Sequence, residues 1–85
     1  MNNNHRVKIY ALSTCIHCKH CKEYLDARGL TYDCVYVDKL EGAERREAIA
    51  EIKKVNPGLS FPTVLIEGRV IVGFDKPELD KILGD

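Results

Sequence analysis

The sequence predicts one α/β domain of order βαβαββα, in which a four-stranded mixed sheet is flanked by three helices. Three observations lead there. An alternating, β-rich run over 7–11 passes through Ser13 and Thr14 into Cys15-Ile16-His17-Cys18 and a helical stretch. Two D-x-x-E spacings, Asp38 with Glu41 and Asp75 with Glu78, have the form of a capping box ahead of a helix. Two β-branched runs around Glu67-Gly68-Arg69 read as a hairpin.

Taken in order, Val7 to Ala11 forms the first strand, and the first helix runs on until Gly29 closes it as a C-cap. Tyr32 to Val37 is a second β-branched and aromatic run. The Asp38 capping box then predicts a helix from about Leu40 to Val55, with Ala48, Ile49, Ile52 and Val55 on one apolar stripe. Asn56-Pro57-Gly58 breaks that helix. Thr63 to Ile66 and Val70 to Val72 form the hairpin, and Asp75 opens a last short helix to Leu83 with Pro77 in its first turn. A βαβ unit requires parallel strands and a crossover helix, so the closing hairpin adds an antiparallel edge.

An 85-residue chain makes one domain with a modest core. Residues 1–5 read as a flexible polar tail and 6–85 as the domain. Thirteen basic and thirteen acidic side chains leave a formal net charge of zero, without the basic surface that a nucleic-acid partner requires. The N-terminus lacks an apolar targeting stretch and no segment approaches a membrane span, so a cytoplasmic, monomeric protein without membrane attachment is expected. The cytosol keeps thiols reduced, which makes a C-x-x-C there catalytic or metal-binding rather than a structural staple.

Cys15 and Cys18 stand where the first strand passes into the first helix. Unpaired backbone N–H groups and the positive end of the helix dipole both favour a thiolate at that point. Cys15, outermost, is the expected nucleophile of lowered pKa. Cys18 lies one turn inward, placed to attack a mixed disulfide on Cys15. His17 lies between them, and a protonated imidazole adds to the thiolate's stability. Cys21 extends the pattern to C-x-x-C-x-x-C, which also fits a metal or iron-sulfur carrier. Helical geometry sets Cys15 and Cys21 about 120° apart around the axis and about 9 Å along it, poorly placed for one ion. Cys18, Cys21 and Leu25 instead share a face, so Cys21 is expected in the core and no metal site is assigned. Cys34, between Asp33 and Val35, reads as a small packed side chain. His5 and His20 carry no assigned role, and the mixed charges of 41–47 read as a solvated helix face.

From about Arg6 to Leu83 the chain resembles the glutaredoxin family, whose fold is thioredoxin-like. The strand-to-Cys15-x-x-Cys18 junction, Ser60-Phe61-Pro62-Thr63 and Val72-Gly73-Phe74-Asp75 carry that resemblance. It implies a dithiol oxidoreductase, active in electron transfer and redox homeostasis, that reduces protein or mixed disulfides and binds no resident cofactor. Glutathione or another thiol enters as co-substrate. It also implies a cis peptide bond before Pro62, with the loop facing the reactive cysteine. A groove of Phe61, Pro62, Gly73, Phe74 and Asp75 would hold the substrate thiol, with Asp75 toward the ammonium of glutathione. Asp75 is equally a good helix N-cap.

Two departures from the family pattern stand out. Many glutaredoxins carry a lysine three residues before the nucleophile, where this chain has Leu12. Their proline-aromatic pair inside the motif is here Ile16-His17. Gly73-Phe74 followed by Lys76-Pro77 also resembles the glutaredoxin-like redoxins that serve ribonucleotide reductase, so thioredoxin reductase joins the small thiols as a possible reductant.

Overall fold

Strands β1 (Val7–Ala11), β2 (Asp33–Tyr36), β3 (Thr63–Ile66) and β4 (Arg69–Val72) alternate with helices α1 (Ile16–Ala27), α2 (Gly42–Val55) and α3 (Lys76–Leu83) in the expected βαβαββα order. The structure is a computed structural model and describes residues 6–84; the tail assigned to 1–5 lies outside them. The sheet order is β2-β1-β3-β4. β1 runs parallel to β2, with Ile9 opposite Cys34, and antiparallel to β3, with Ile9 opposite Val64. β3 and β4 are antiparallel and joined by a two-residue turn in which Glu67 and Gly68 both have positive φ, 49° and 84°. That geometry matches the right-handed twist of the flanking strands.

Strand alternation sends side chains to two faces, and each face has its own apolar cluster. Toward α1 and α3 lie Ile9, Ala11, Val64 and Ile66, packed with Cys18, Cys21, Leu25 and Leu79, all nearly inaccessible. Toward α2 lie Tyr10 and Val37 with Ile52, flanked by Val35, Ala48, Ile49 and Leu65. Each large side chain buried in this way contributes about 1.5 to 3 kcal/mol relative to exposure.

α1 ends as its sequence predicts. The amides of Gly29 and Leu30 donate back to the carbonyls of Asp26 and Leu25, at 2.9 and 3.2 Å, closing the last turn in a Schellman pattern.

The start of α2 departs from the expectation. A short 3₁₀ turn occupies Val37–Lys39, and α2 begins at Gly42 after Glu41, whose side chain caps nothing. Asp38 does not form a capping box because its carboxylate is bonded to Ser13 instead. Glu41 is extended, and Gly42, at φ 57°, turns the chain into the helix. The apolar stripe of α2 also ends sooner than predicted. Ile52 is fully buried but Val55 is 38% exposed, because an open cleft separates it from Leu65 and Val70 of the sheet.

α3 follows the prediction. Asp75 is its N-cap, accepting the Glu78 amide at 3.2 Å, and Pro77 sits in the first turn where no amide donor is needed.

Candidate active site

β1 delivers the chain to the sulfurs. Leu12 O accepts the Cys15 amide at 3.1 Å, a tight turn that makes Cys15 the N-cap of α1, with φ −89° and ψ 118°. A cysteine there has an unusual partner for its sulfur. Cys15 Sγ accepts the backbone N–H of Cys18 at 3.2 Å, one of the amides a helix start leaves without an intrahelical acceptor. Cys15 is half-buried, whereas Cys18, one turn in, is 1% exposed. Burial first, and then hydrogen bonding to Cys15, push the Cys18 thiol up to about 12. The two cysteines are therefore unlike: one sulfur is accessible and receives an N–H, the other is buried and held protonated.

The proline loop closes the site from the β3 side. The Phe61–Pro62 peptide bond is cis, as the resemblance implied, and Phe61 O lies 3.9 Å from Cys15 Sγ. Pro62 O accepts the amide of Gly73 at 2.8 Å, which fastens the end of β4 to the loop. Gly73 has φ 80°, a conformation open to glycine and strained for residues with a Cβ. Phe74 packs tilted against Tyr24 of α1, ring centroids 5.8 Å apart. Cys15, Cys18, Phe61, Pro62 and Gly73 are thus assembled in one place. His17 is exposed on the first turn of α1, and Asp75 is exposed and already bonded as the α3 cap.

Two anchors of this site had no signal in the sequence reading. Asn56, which the sequence marks only as a helix breaker, is buried, and its Nδ2 donates to Ser60 O, Ser60 Oγ and Thr63 Oγ1 at 3.2, 3.1 and 3.0 Å. Thr63 Oγ1 in turn donates to Ser60 O at 2.8 Å, so the loop leading to Pro62 is tied from both ends. The second anchor is Asp38, which accepts both the amide and the hydroxyl of Ser13, two residues before Cys15.

Beside the sulfurs a cleft of about 250 Å³ opens between the β1–α1 turn and β2, lined by Leu12, Ser13, Cys15, Cys18, Lys19 and Tyr36 among others. Lys22 also lines it, donating to the Tyr36 hydroxyl, with Nζ 4.8 Å from the centre of that ring. A larger cleft, about 760 Å³, lies at the far end of β1 against Val7, Lys8, Leu65 and Val70 and includes neither sulfur. Cys21 is fully buried in the core, where the helical face of Cys18 and Leu25 predicts it. Among the described residues no group of three or more His, Cys, Asp or Glu side chains is arranged to hold a metal ion, and no helix is long and apolar enough to cross a membrane.

Comparison with known proteins agrees with this geometry. The family model for glutaredoxin matches residues 7–71. The chain is 36% identical over 77 residues, 91% of its length and 96% of the other's, to an uncharacterized glutaredoxin-like 8.6 kDa protein in the rubredoxin operon of Clostridium pasteurianum. Among solved structures, the glutaredoxin of Methanosarcina mazei Go1 superposes with a TM-score of 0.86 at 43% identity, covering 96% of this chain and 87% of that one. The methanoredoxin of Methanosarcina acetivorans gives 0.88 at 37% identity, covering 94% and 85%. With a dithiol at a helix start, a cis-proline loop facing it and the family model spanning most of the domain, the chain belongs to the glutaredoxin family of thiol-disulfide oxidoreductases.

Proposed function

We propose that this protein reduces protein or mixed disulfides by a dithiol cycle in which Cys15 is the nucleophile and Cys18 the resolving thiol. The observation that carries this reading is the inequality of the two sulfurs: Cys15 Sγ is accessible and accepts the Cys18 N–H, while Cys18 is buried and protonated.

In the first step the Cys15 thiolate attacks one sulfur of the substrate disulfide. A Cys15–substrate bond forms and the substrate's other sulfur leaves as a thiolate. Cys18 then loses its proton and attacks the Cys15 sulfur, forming the Cys15–Cys18 disulfide and releasing the second substrate thiol. The environment favours this order. Hydrogen bonding to Cys15 and the charge on Cys15 both help to keep Cys18 protonated, and both vanish once Cys15 is bonded to substrate. Burial, and a smaller contribution from Cys21, then remain against Cys18 ionisation. An external thiol or reductase returns two electrons to complete the cycle.

Substrate is held by the groove of Phe61, Pro62, Gly73, Phe74 and Asp75, with His17 at the helix start. Phe61 O beside Cys15 Sγ supports an extended substrate backbone lying along the proline loop. Glutathione, another small thiol or thioredoxin reductase serves as reductant, and a cytosolic setting keeps the pair reduced between turnovers. Leu12 offers glutathione's carboxylate neither charge nor hydrogen bond.

The test is a trapping experiment. Cys18→Ser, mixed with a disulfide substrate, should accumulate a stable mixed disulfide on Cys15, and Cys15→Ser should form none. Absence of the Cys15 adduct in Cys18→Ser, or an adduct on Cys18 in Cys15→Ser, overturns the assignment. Oxidised wild-type protein given glutathione with its reductase in one tube, and thioredoxin reductase in another, identifies the reductant.

A further inference from the structure

α1 carries one more thiol toward the sheet, a turn beyond Cys18, and the strand beneath it carries another. Cys21 is fully buried and Cys34 is half-buried. Cys34 stands opposite Ile9 in the parallel β1–β2 register. Its neighbour Val35 packs in the cluster under α2, whereas Cys34 packs against the cluster under α1, which contains Ile9 and Cys21. On either side of Cys34, Tyr36 accepts from Lys22 and Tyr32 donates to Asp26, so Cys34 lies under the stretch of α1 whose inward face carries Cys21. The proximity of the two thiols is felt electrostatically: after burial, Cys34 is the second cause that pushes the Cys21 thiol up, to about 11. Lys22, the next residue on α1, is also close to Cys34. Its ammonium is favoured first by the Tyr36 hydroxyl and, among smaller causes, by Cys34.

We propose that Cys21 and Cys34 are a second redox dithiol, separate from Cys15 and Cys18, that is oxidised by small-molecule disulfides to a bridge joining α1 to β2. Cys34, the partly accessible sulfur beside Lys22, reacts first. As a thiolate it attacks a disulfide RS–SR, forming Cys34–SR and releasing one RS⁻. Cys21 then gives up its proton and attacks the Cys34 sulfur, the Cys21–Cys34 bond forms, and the second RS⁻ leaves. The small disulfide gains two electrons to become two thiols, and the protein dithiol loses the same two. The division of labour repeats that of the first pair, one accessible sulfur near a positive group and one buried sulfur behind it.

The test uses the folded wild-type chain and oxidised glutathione in excess, with acid quench, alkylation and intact mass followed by peptide mapping. The expected product has lost the hydrogens of two disulfides, and one linked peptide pair joins Cys21 to Cys34. Cys21→Ser should instead retain a glutathione adduct on Cys34. Cys15→Ser combined with Cys18→Ser should still lose the hydrogens of one disulfide, so the second pair is read out even if the proposed dithiol cycle fails. The proposal is overturned if wild type stops at one disulfide with Cys21 and Cys34 both alkylated, if Cys21 is found bridged to Cys18, or if an unresolved adduct stays on Cys34 in wild type. Should the double variant not fold, the wild-type linkage map decides alone.

Discussion

Asp38 holds Ser13 by both oxygens of its carboxylate: Oδ1 accepts the Ser13 amide at 3.0 Å and Oδ2 accepts the Ser13 hydroxyl. The pair spans 25 residues of chain and ties the turn before Cys15 to the segment after β2. Ser13 holds the Asp38 carboxyl below the usual carboxylate range, first through its hydroxyl and then through its amide.

Asp38→Asn should therefore loosen the turn ahead of the nucleophile and change the acid limb of stability. A lowered folded-state pKa means that the contribution is present above the unfolded carboxylate value, about 3.9, and is lost as pH falls through the folded one. Urea unfolding followed from neutral to acid pH should show a flatter acid limb in the variant, with faster amide exchange at Ser13. An unchanged limb and unchanged exchange would show that the contact carries no stability.

At alkaline pH the sign is opposite. Cys18 and Cys21 have folded-state pKa values raised from about 9 to about 12 and about 11, so their contribution is complete below pH 9 and is lost as pH rises through those folded values. In that window the folded chain binds more protons than the unfolded one, and each group lowers stability by up to about 1.4 kcal/mol per pH unit. Cys18→Ser should flatten the decline above pH 9, leaving the parts due to Cys21 and, at higher pH, to Tyr24, Tyr32 and Lys22, which are raised as well. Chemical unfolding at stepped pH under reducing conditions measures it.

Asn56→Ala removes the donor that ties Ser60 and Thr63, leaving the fully buried Thr63 hydroxyl without the N–H it accepts. The expected cost is about 1 to 3 kcal/mol of stability. Because the same loop carries Phe61 beside Cys15, alkylation of Cys15 should also change in rate at constant pH. Loss of stability without any change in that rate would confine Asn56 to the fold.

Leu12→Lys supplies the cation that many glutaredoxins have at this position. An exposed ion pair contributes about 0.2 to 1 kcal/mol, so the apparent KM for glutathione should fall by up to about fivefold. Turnover of the wild type with glutathione should be weak but measurable. If the wild type already matches a lysine-bearing relative and Leu12→Lys changes nothing, position 12 has no part in thiol binding.

Cys21→Ala should leave disulfide reduction by Cys15 and Cys18 nearly intact while costing stability by packing, on the order of 1 kcal/mol for so small a truncation. Thermal unfolding and a mixed-disulfide reduction assay on the same preparation separate the two effects. A loss of activity larger than the loss of folded protein would draw Cys21 into the chemistry.

What the amino-acid sequence determined by itself was local: element order, the placing of Cys15 and Cys18 at a helix start, Cys21 on the inward face of α1, the Asp75 cap and the Gly29 stop. Each depends on spacing within a turn or two, which backbone periodicity makes legible. The tertiary structure decided whatever required two distant segments to meet. Asp38 and Glu41 had the spacing of a capping box, yet Asp38 went to Ser13 because the parallel β1–β2 pairing brings the ends of both strands together, and a nearby backbone donor competes with a helix cap. Asn56 looked like a helix stop and became the anchor of the proline loop, since a buried amide must find partners wherever the fold supplies them. Cys34 reads as a packed side chain, and only the register of β2 on β1 turns it toward the layer that holds Cys21. Side-chain chemistry is written in the sequence, but which groups share a surface depends on loop closure and strand pairing over tens of residues, and no local pattern encodes that.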